Sequence, residues 1–404
     1  MSDEARTPDQ RRRRRRGLRI TLVSALALVI VLAIAIGPRI VGDAAEQHGL
    51  TEFYAQPAGA ASGRPGTIVR SEPLEGHPLA AKAWRIMYRT TDLNGRPVVA
   101  TGVVVTPDGS APAGGRTVLA WGHPTTGVAD QCAPSRGFDP FIDIEGLRMM
   151  LDRGYTVVAT DYVGMGTEGP DSYLIGVTAG HSVLDSVRAA RELDATEAGS
   201  SVILWGHSQG GQAALFAAEL APTYASELRI EAVAVAAPAA DLSALIQNHL
   251  DDVSGATIGS YAFQAYAEIY RDRGARLDQV LTPQARQILG EMNALCLLSN
   301  LSKLHTIAKP VVGDFFVVDP TRVEPWATLL RENSAGASAI QAPLFVAQGM
   351  QDQLVVPSDT EAFVDHEKRL GVQVTFETVE IADHGTVAYL ALPALNRWLD
   401  NLKV

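Results

Sequence analysis

The residues best suited to chemistry lie where an apolar run, Val202-Ile203-Leu204-Trp205, gives way to Gly206-His207-Ser208-Gln209-Gly210. The run is long enough for one buried strand, and a small-residue helical pattern begins at Gln212. A serine on a tight strand-to-helix turn has its hydroxyl lifted clear of the backbone, and glycines two positions either side let strand and helix pass close together. Ser208 is therefore read as a nucleophile rather than an ordinary turn residue.

A serine hydroxyl attacks poorly at neutral pH unless a base takes its proton, and the base needs a third group to orient it. In a parallel sheet with such a turn the chain order is serine, acid, histidine. Asp352 in Gly349-Met350-Gln351-Asp352 and His384 in Asp383-His384-Gly385 supply that order. Each follows a strand pattern, at the edge where parallel sheets place their sites. Other polar groups are read differently: His366 as solvated surface, His207 as pointing away from the turn, and Asp383 as too near in sequence to face His384. A tetrahedral intermediate also needs donors for its oxyanion. The backbone N–H of Gln209 is one by the geometry of the turn. The second is expected from Thr125, in the loop at 122–127, or near Asp161. A carboxylate cannot donate, so Asp161 would have to be protonated, position another group, or simply bond loop amides.

The histidines are scattered without metal-ligand spacing, and no glycine-rich dinucleotide loop follows the first strand pattern. Neither a metal nor a cofactor is expected.

These side chains need a scaffold. Strand patterns fall at 83–91, 97–105, 117–121, 155–160, 202–206, 230–237, 343–348 and 372–381, with Asn94-Gly95 marking a hairpin between the first two. Helical patterns at 140–153, at 178–194 and after Gly210 alternate with them. The expectation is an α/β fold with a mostly parallel, eight-stranded sheet covered by helices on both faces. Residues 240–335 break the alternation with helical patterns at 242–249, 261–271 and 283–289. So long an interval between two strands is too large for a loop and is read as an inserted helical cap. Its Phe263, Tyr266, Ile269 and Tyr270 line either an acyl pocket or the cap's own interior. The resulting organisation is a basic tail and hydrophobic segment (1–42), a linker with irregular structure (43–78), a core in two parts (79–239 and 336–404) and the cap (240–335).

In the tail, six consecutive arginines, Arg11 to Arg16, and then Arg19 precede an apolar run at 20–36. The run is just long enough to span a membrane, and the arginines should stay on the cytoplasmic side, which places the rest of the chain outside. An uncleaved anchor is favoured over a signal peptide, because residues 42–45 make a poor cleavage site. Beyond residue 19 the chain carries 26 basic and 42 acidic residues, a net charge of −16. That acidity argues against nucleic acid or an anionic membrane surface as a partner. Cys132 and Cys296 are the only cysteines. In an exported protein one disulfide is the favoured reading, and two unpaired buried thiols the other.

On Gly206-His207-Ser208-Gln209-Gly210-Gly211, Gly349-Met350-Gln351-Asp352 and Asp383-His384-Gly385, residues 80–404 resemble the α/β-hydrolase superfamily. The stretch from His123 to Ser135 and Asp161-Tyr162-Val163-Gly164-Met165-Gly166 narrow the resemblance to the secretory lipases of the fungal lipase A type. The resemblance implies a triad of Ser208, Asp352 and His384, hydrolysis of acyl esters, a cap over the acyl site, and a part for Asp161 in the oxyanion hole. The reading is an exported, cofactor-free serine hydrolase acting on lipid-like esters. Acyl transfer to an alcohol or sugar of the cell envelope, or a catalytically silent binding protein, are the alternatives.

Overall fold

The computed structural model describes residues 49–404. The apolar segment at 20–36 lies outside the described residues. Residues 49–54 are helical, and residues 56–404 form a separate compact unit that carries every element below.

A single nine-stranded sheet runs through this unit in the order β1-β2-β3-β5-β4-β6-β7-β8-β9. β2 (Ala81–Thr91) and β3 (Pro97–Pro107) form the expected hairpin. Its turn is fixed locally: the Asp92 carboxylate accepts the N–H groups of Asn94 and Arg96 at 2.8 and 2.9 Å, and Gly95 takes a positive φ of 73°. β4 (Arg116–Gly122), β5 (Thr156–Thr160), β6 (Ala198–His207), β7 (Arg229–Ala236), β8 (Leu344–Gly349) and β9 (Val374–Val379) are mutually parallel.

One strand beyond the expected eight is present. β1 (Ile68–Pro73) pairs antiparallel with β2 inside the stretch read as irregular. Its sequence, Ile-Val-Arg-Ser-Glu-Pro, has no alternation to read, because as an edge strand it has no fully buried residue on either side.

The inner strands are buried on both faces, and alternate residues face two separate cores. Ile203 and Trp205 of β6 enter one, Val202 and Leu204 the other. The second core is closed by α2 (Gly176–Glu192) and α3 (Gln209–Tyr224), through side chains such as Val183, Val187 and Leu215. The first is closed by α1 (Leu147–Asp152) and the last helix (Leu392–Leu402), through Met150, Leu395 and Leu399.

Between β7 and β8 no residue joins the sheet. Instead this interval holds α4 (Leu242–Asn248), α5 (Val253–Ile269), α6 (Pro283–Asn293), α7 (Leu297–Ala308) and α8 (Trp326–Glu332). Two of them, α7 and α8, lie outside the helical patterns read from the sequence; α7 is broken at Asn300 by a non-helical turn. The helices of the interval bury Phe263, Tyr266, Phe315 and Trp326 among themselves and against the sheet.

Candidate active site

Ser208 is the residue immediately after β6 and the cap of α3, with φ 56° and ψ −118°. That conformation costs a non-glycine residue energy, which the surrounding structure must impose. The surroundings can do so only with glycines. A Cβ at Gly206 would come within 2.1 Å of the Gly210 carbonyl oxygen, and one at Gly210 within 1.9 Å of the Gly122 carbonyl oxygen. Gly122 closes β4 and pairs in register with Gly206, so the loop that follows it starts beside the serine.

β8 and β9 end at the same edge of the sheet as β6, and their following loops carry Asp352 and His384. His384 Nε2 lies 2.9 Å from Ser208 Oγ, and His384 Nδ1 lies 2.7 Å from Asp352 Oδ2. Asp352 is 3% exposed and its other oxygen accepts the N–H groups of Leu354 and Val355 at 2.8 and 3.0 Å. The carboxylate is thereby locked in one orientation, which fixes the imidazole tautomer with the proton on Nδ1 and the lone pair facing the serine. Burial pushes the His384 imidazole below its usual pKa, the Asp352 carboxylate opposes that shift, and the nearby His207 adds to it.

A cavity of about 230 Å³ opens over Ser208 and His384. Leu245, Ile258, Leu297, Leu298, Leu354 and Val355 supply its apolar wall, and Thr125, Asp143, Glu145, Tyr173, His207 and Gln209 its polar groups. Gln209 is the first residue of α3, so its N–H is among those that have no partner within the helix. Thr125 belongs to the same wall, its hydroxyl 2.7 Å from Tyr173 Oη. Tyr173 gave no signal in the sequence; it stands in an irregular segment with no period.

Asp161 is not part of the cavity wall. It is 1% exposed, and its carboxylate accepts the Ser135 N–H at 2.9 Å, the Ser135 hydroxyl, and the Thr101 hydroxyl at 2.6 Å. With three donors aimed at it, the group is an acceptor that pins the chain at Ser135, and the oxyanion part expected of it has no geometric support. The two partner residues, Ser135 and Thr101, lie far from it in sequence, which is why the motif alone could not separate the two roles.

Two further readings change. His207 does not point away: it is 3% exposed, lines the cavity, and its ring centroid is 5.1 Å from that of His384. His366 is half-buried rather than solvated, and its Nε2 contacts the Gly336 carbonyl at 2.8 Å. Of the two places read for Phe263, Tyr266, Ile269 and Tyr270, the interior of the inserted helices is the one observed: they do not line the cavity, and Phe263 and Tyr266 are 1% exposed. Asp383 is turned towards Thr386, whose hydroxyl it accepts at 2.6 Å.

Cys132 and Cys296 form a disulfide with Cα atoms 5.2 Å apart, and no free cysteine occurs among the described residues. The bond ties the loop after β4 to the start of α7, where the Leu297 N–H also donates to the Thr126 carbonyl at 2.7 Å. The cavity residues Leu297 and Leu298 are thus anchored next to Thr125.

A family model described as secretory lipase matches residues 135–402. The chain belongs to the secretory lipase family. Among the relatives, Lipase 6 of Candida albicans is 25% identical over 386 residues, covering 86% of this chain and 80% of its own length. A secreted triacylglycerol lipase of Malassezia globosa is 26% identical, covering 86% and 77%. A relative from Mycobacterium tuberculosis, 26% identical with coverage of 86% and 80%, is named a probable inactive lipase. In three dimensions the chain resembles Candida antarctica lipase A in its closed state, with a TM-score of 0.73 at 20% identity, over 86% of this chain and 84% of that one. It also resembles the rice cell wall degrading esterase LipA from Xanthomonas oryzae, with a TM-score of 0.67 at 22% identity, over 84% and 98%. The secretory lipase chain described here therefore has the α/β-hydrolase fold.

Proposed function

We propose that this member of the secretory lipase family is an exported serine hydrolase that cleaves carboxylic acyl esters, lipid-like in their acyl part, through an acyl-enzyme. Ser208 Oγ attacks the ester carbonyl as His384 Nε2 takes its proton, while Asp352 holds and stabilises the imidazolium that forms. The N–H of Gln209, with Thr125 as the second donor, holds the oxyanion. Collapse of the tetrahedral species expels the alcohol, to which His384 returns the proton. Water then attacks the acyl-enzyme by the same route in reverse, releasing the acid and restoring Ser208.

The observation that carries this reading is the continuous hydrogen-bonded series from Ser208 Oγ through His384 to Asp352, at 2.9 and 2.7 Å, on the floor of a cavity with an apolar wall. The same series disfavours a silent fold, which would have no need to keep Ser208 in a costly backbone conformation. Residues 240–335 act as a cap, since Leu245, Ile258, Leu297 and Leu298 of this interval cover the serine. Export agrees with the disulfide, which persists in oxidising surroundings. Among the described residues no helix is long and apolar enough to cross a membrane. The segment at 20–36, with arginines before it, is proposed as a single membrane anchor whose amino-terminal side is cytoplasmic.

Hydrolysis of nitrophenyl esters of increasing acyl length by wild type and by Ser208→Ala tests the proposal. Turnover by wild type alone, rising from acetate towards octanoate, is the expected result. Retained turnover in the variant rejects the mechanism, and a steep preference for acetate rejects the lipid-like acyl part.

A further inference from the structure

The cavity wall is divided by chemistry. The acyl-compatible side chains come mainly from the inserted helices and the loop after β8, whereas Asp143 and Glu145 come from the one loop before α1 and meet His207 at the end of β6. Several polar atoms of this acidic corner lack partners. Neither ring nitrogen of His207 has a hydrogen-bond partner among the described residues, although the residue is 3% exposed. Its Nδ1 stands 3.5 Å from Glu145 Oε1, too long for a hydrogen bond, and Glu145 Oε2 is buried without a partner. Burial and the neighbouring Glu145 charge both push the Asp143 carboxyl above its usual range.

Unpaired buried polar atoms cost stability, so a fold keeps such a corner only at a loss unless something binds there. What would bind follows from the donor inventory. Carboxylates are acceptors, and a neutral imidazole is one donor and one acceptor. A quaternary ammonium would leave the imidazole unsatisfied and offers no N–H or O–H to the carboxylates. An ester alkyl group offers nothing to either. Among the described residues no group of three His, Cys, Asp or Glu side chains is arranged to hold a metal ion. Adjacent hydroxyls both donate and accept, and they match the set.

We propose that Asp143, Glu145 and His207 form a subsite for the alcohol part of the ester, selecting a hydroxylated alcohol such as a glycerol with free hydroxyls or a sugar over a plain alkyl alcohol. The inference rests on the ester-hydrolase reading for which side of the ester faces the corner, but the corner's preference for hydroxyls can be measured without turnover.

The test uses three esters with one acyl group: 1-octanoylglycerol, ethyl octanoate and octanoylcholine. All share the triad, so ratios of kcat/KM cancel any change at Ser208, Asp352 or His384. The monoacylglycerol should exceed the ethyl ester by about tenfold or more, and that ratio should fall by about tenfold in Glu145→Met and in His207→Phe, which keeps the ring packed on His384. Binding of 1-O-octylglycerol, an ether that cannot be cleaved, against 1-octanol should show the same preference and the same losses. If no ester is turned over, the catalytic reading fails and the ether alone decides the subsite. Ratios near one in wild type, a preference for the choline ester, or ratios untouched by both variants would overturn the proposal.

Discussion

His384 Nε2 and Ser208 Oγ stand 2.9 Å apart although 176 residues separate them in the chain. The contact exists because β6, β8 and β9 run parallel and stop at one edge, so that three loops converge. Its usefulness depends on the lone pair of Nε2 facing the serine, which Asp352 enforces from the other side at 2.7 Å. Asp352→Asn would leave the hydrogen-bonding shape intact while favouring the wrong tautomer. The expected loss in kcat is about 10⁴-fold, with an unchanged unfolding midpoint in urea. A loss below about tenfold would mean that the imidazole does not need this partner.

The pH profile follows from the environment of His384, whose imidazole is held below its ordinary value by burial and by His207, against the pull of Asp352. A general base works when neutral, so lowering its pKa extends activity towards acid. The acid limb of kcat/KM for a nitrophenyl ester should have its midpoint below about 6.5, the ordinary imidazole value. A midpoint at or above pH 7 would contradict the electrostatic picture.

The sequence carried the serine turn, the order of acid and histidine, and most of the parallel sheet, because each is local: an apolar run, a glycine spacing, a strand end. What escaped it depends on long-range packing. β1 looks like a linker because an edge strand needs no buried face. Asp161 stays open between an oxyanion part and bonds to loop groups, because its partners Ser135 and Thr101 lie far along the chain. His207 was turned the wrong way because nothing local reveals that Glu145 lies opposite it. The apolar cavity residues Leu297 and Leu298 of α7 escape for a similar reason, since only the fold shows that this helix starts beside the serine.

Joining residues 164 apart, the Cys132–Cys296 disulfide restricts a long loop of the unfolded chain. Replacing both cysteines by alanine should cost about 2–5 kcal/mol in chemical denaturation. It should also slow turnover of long-chain esters more than of acetate, because Leu297 and Leu298 lose their tether beside Thr125. Equal stability of the oxidised and cysteine-free forms would contradict this.

Glu367 supplies a separate test of the fold. It is fully buried with neither carboxyl oxygen partnered among the described residues, and burial together with the charge of Glu219 pushes its pKa up to about 7, which His366 partly offsets. An unfolded glutamate titrates near 4.3. The folded state therefore keeps a proton that the unfolded state releases, and stability present below about pH 4 is lost as pH rises through 7. Glu367→Gln should raise stability at pH 8 by about 1–3 kcal/mol and flatten the profile between pH 4 and 7. No gain at pH 8 would show that the carboxyl is solvated or paired in solution.

The reactivity of Ser208 is most directly measured by trapping it. Incubation with an activated alkyl phosphonate, followed by peptide mass mapping, should place one adduct per chain on Ser208 in wild type. In His384→Ala, at the same reagent concentration and time, that adduct should be almost absent. An adduct on another residue, or labelling of Ser208 at the same rate without the imidazole, would contradict the account.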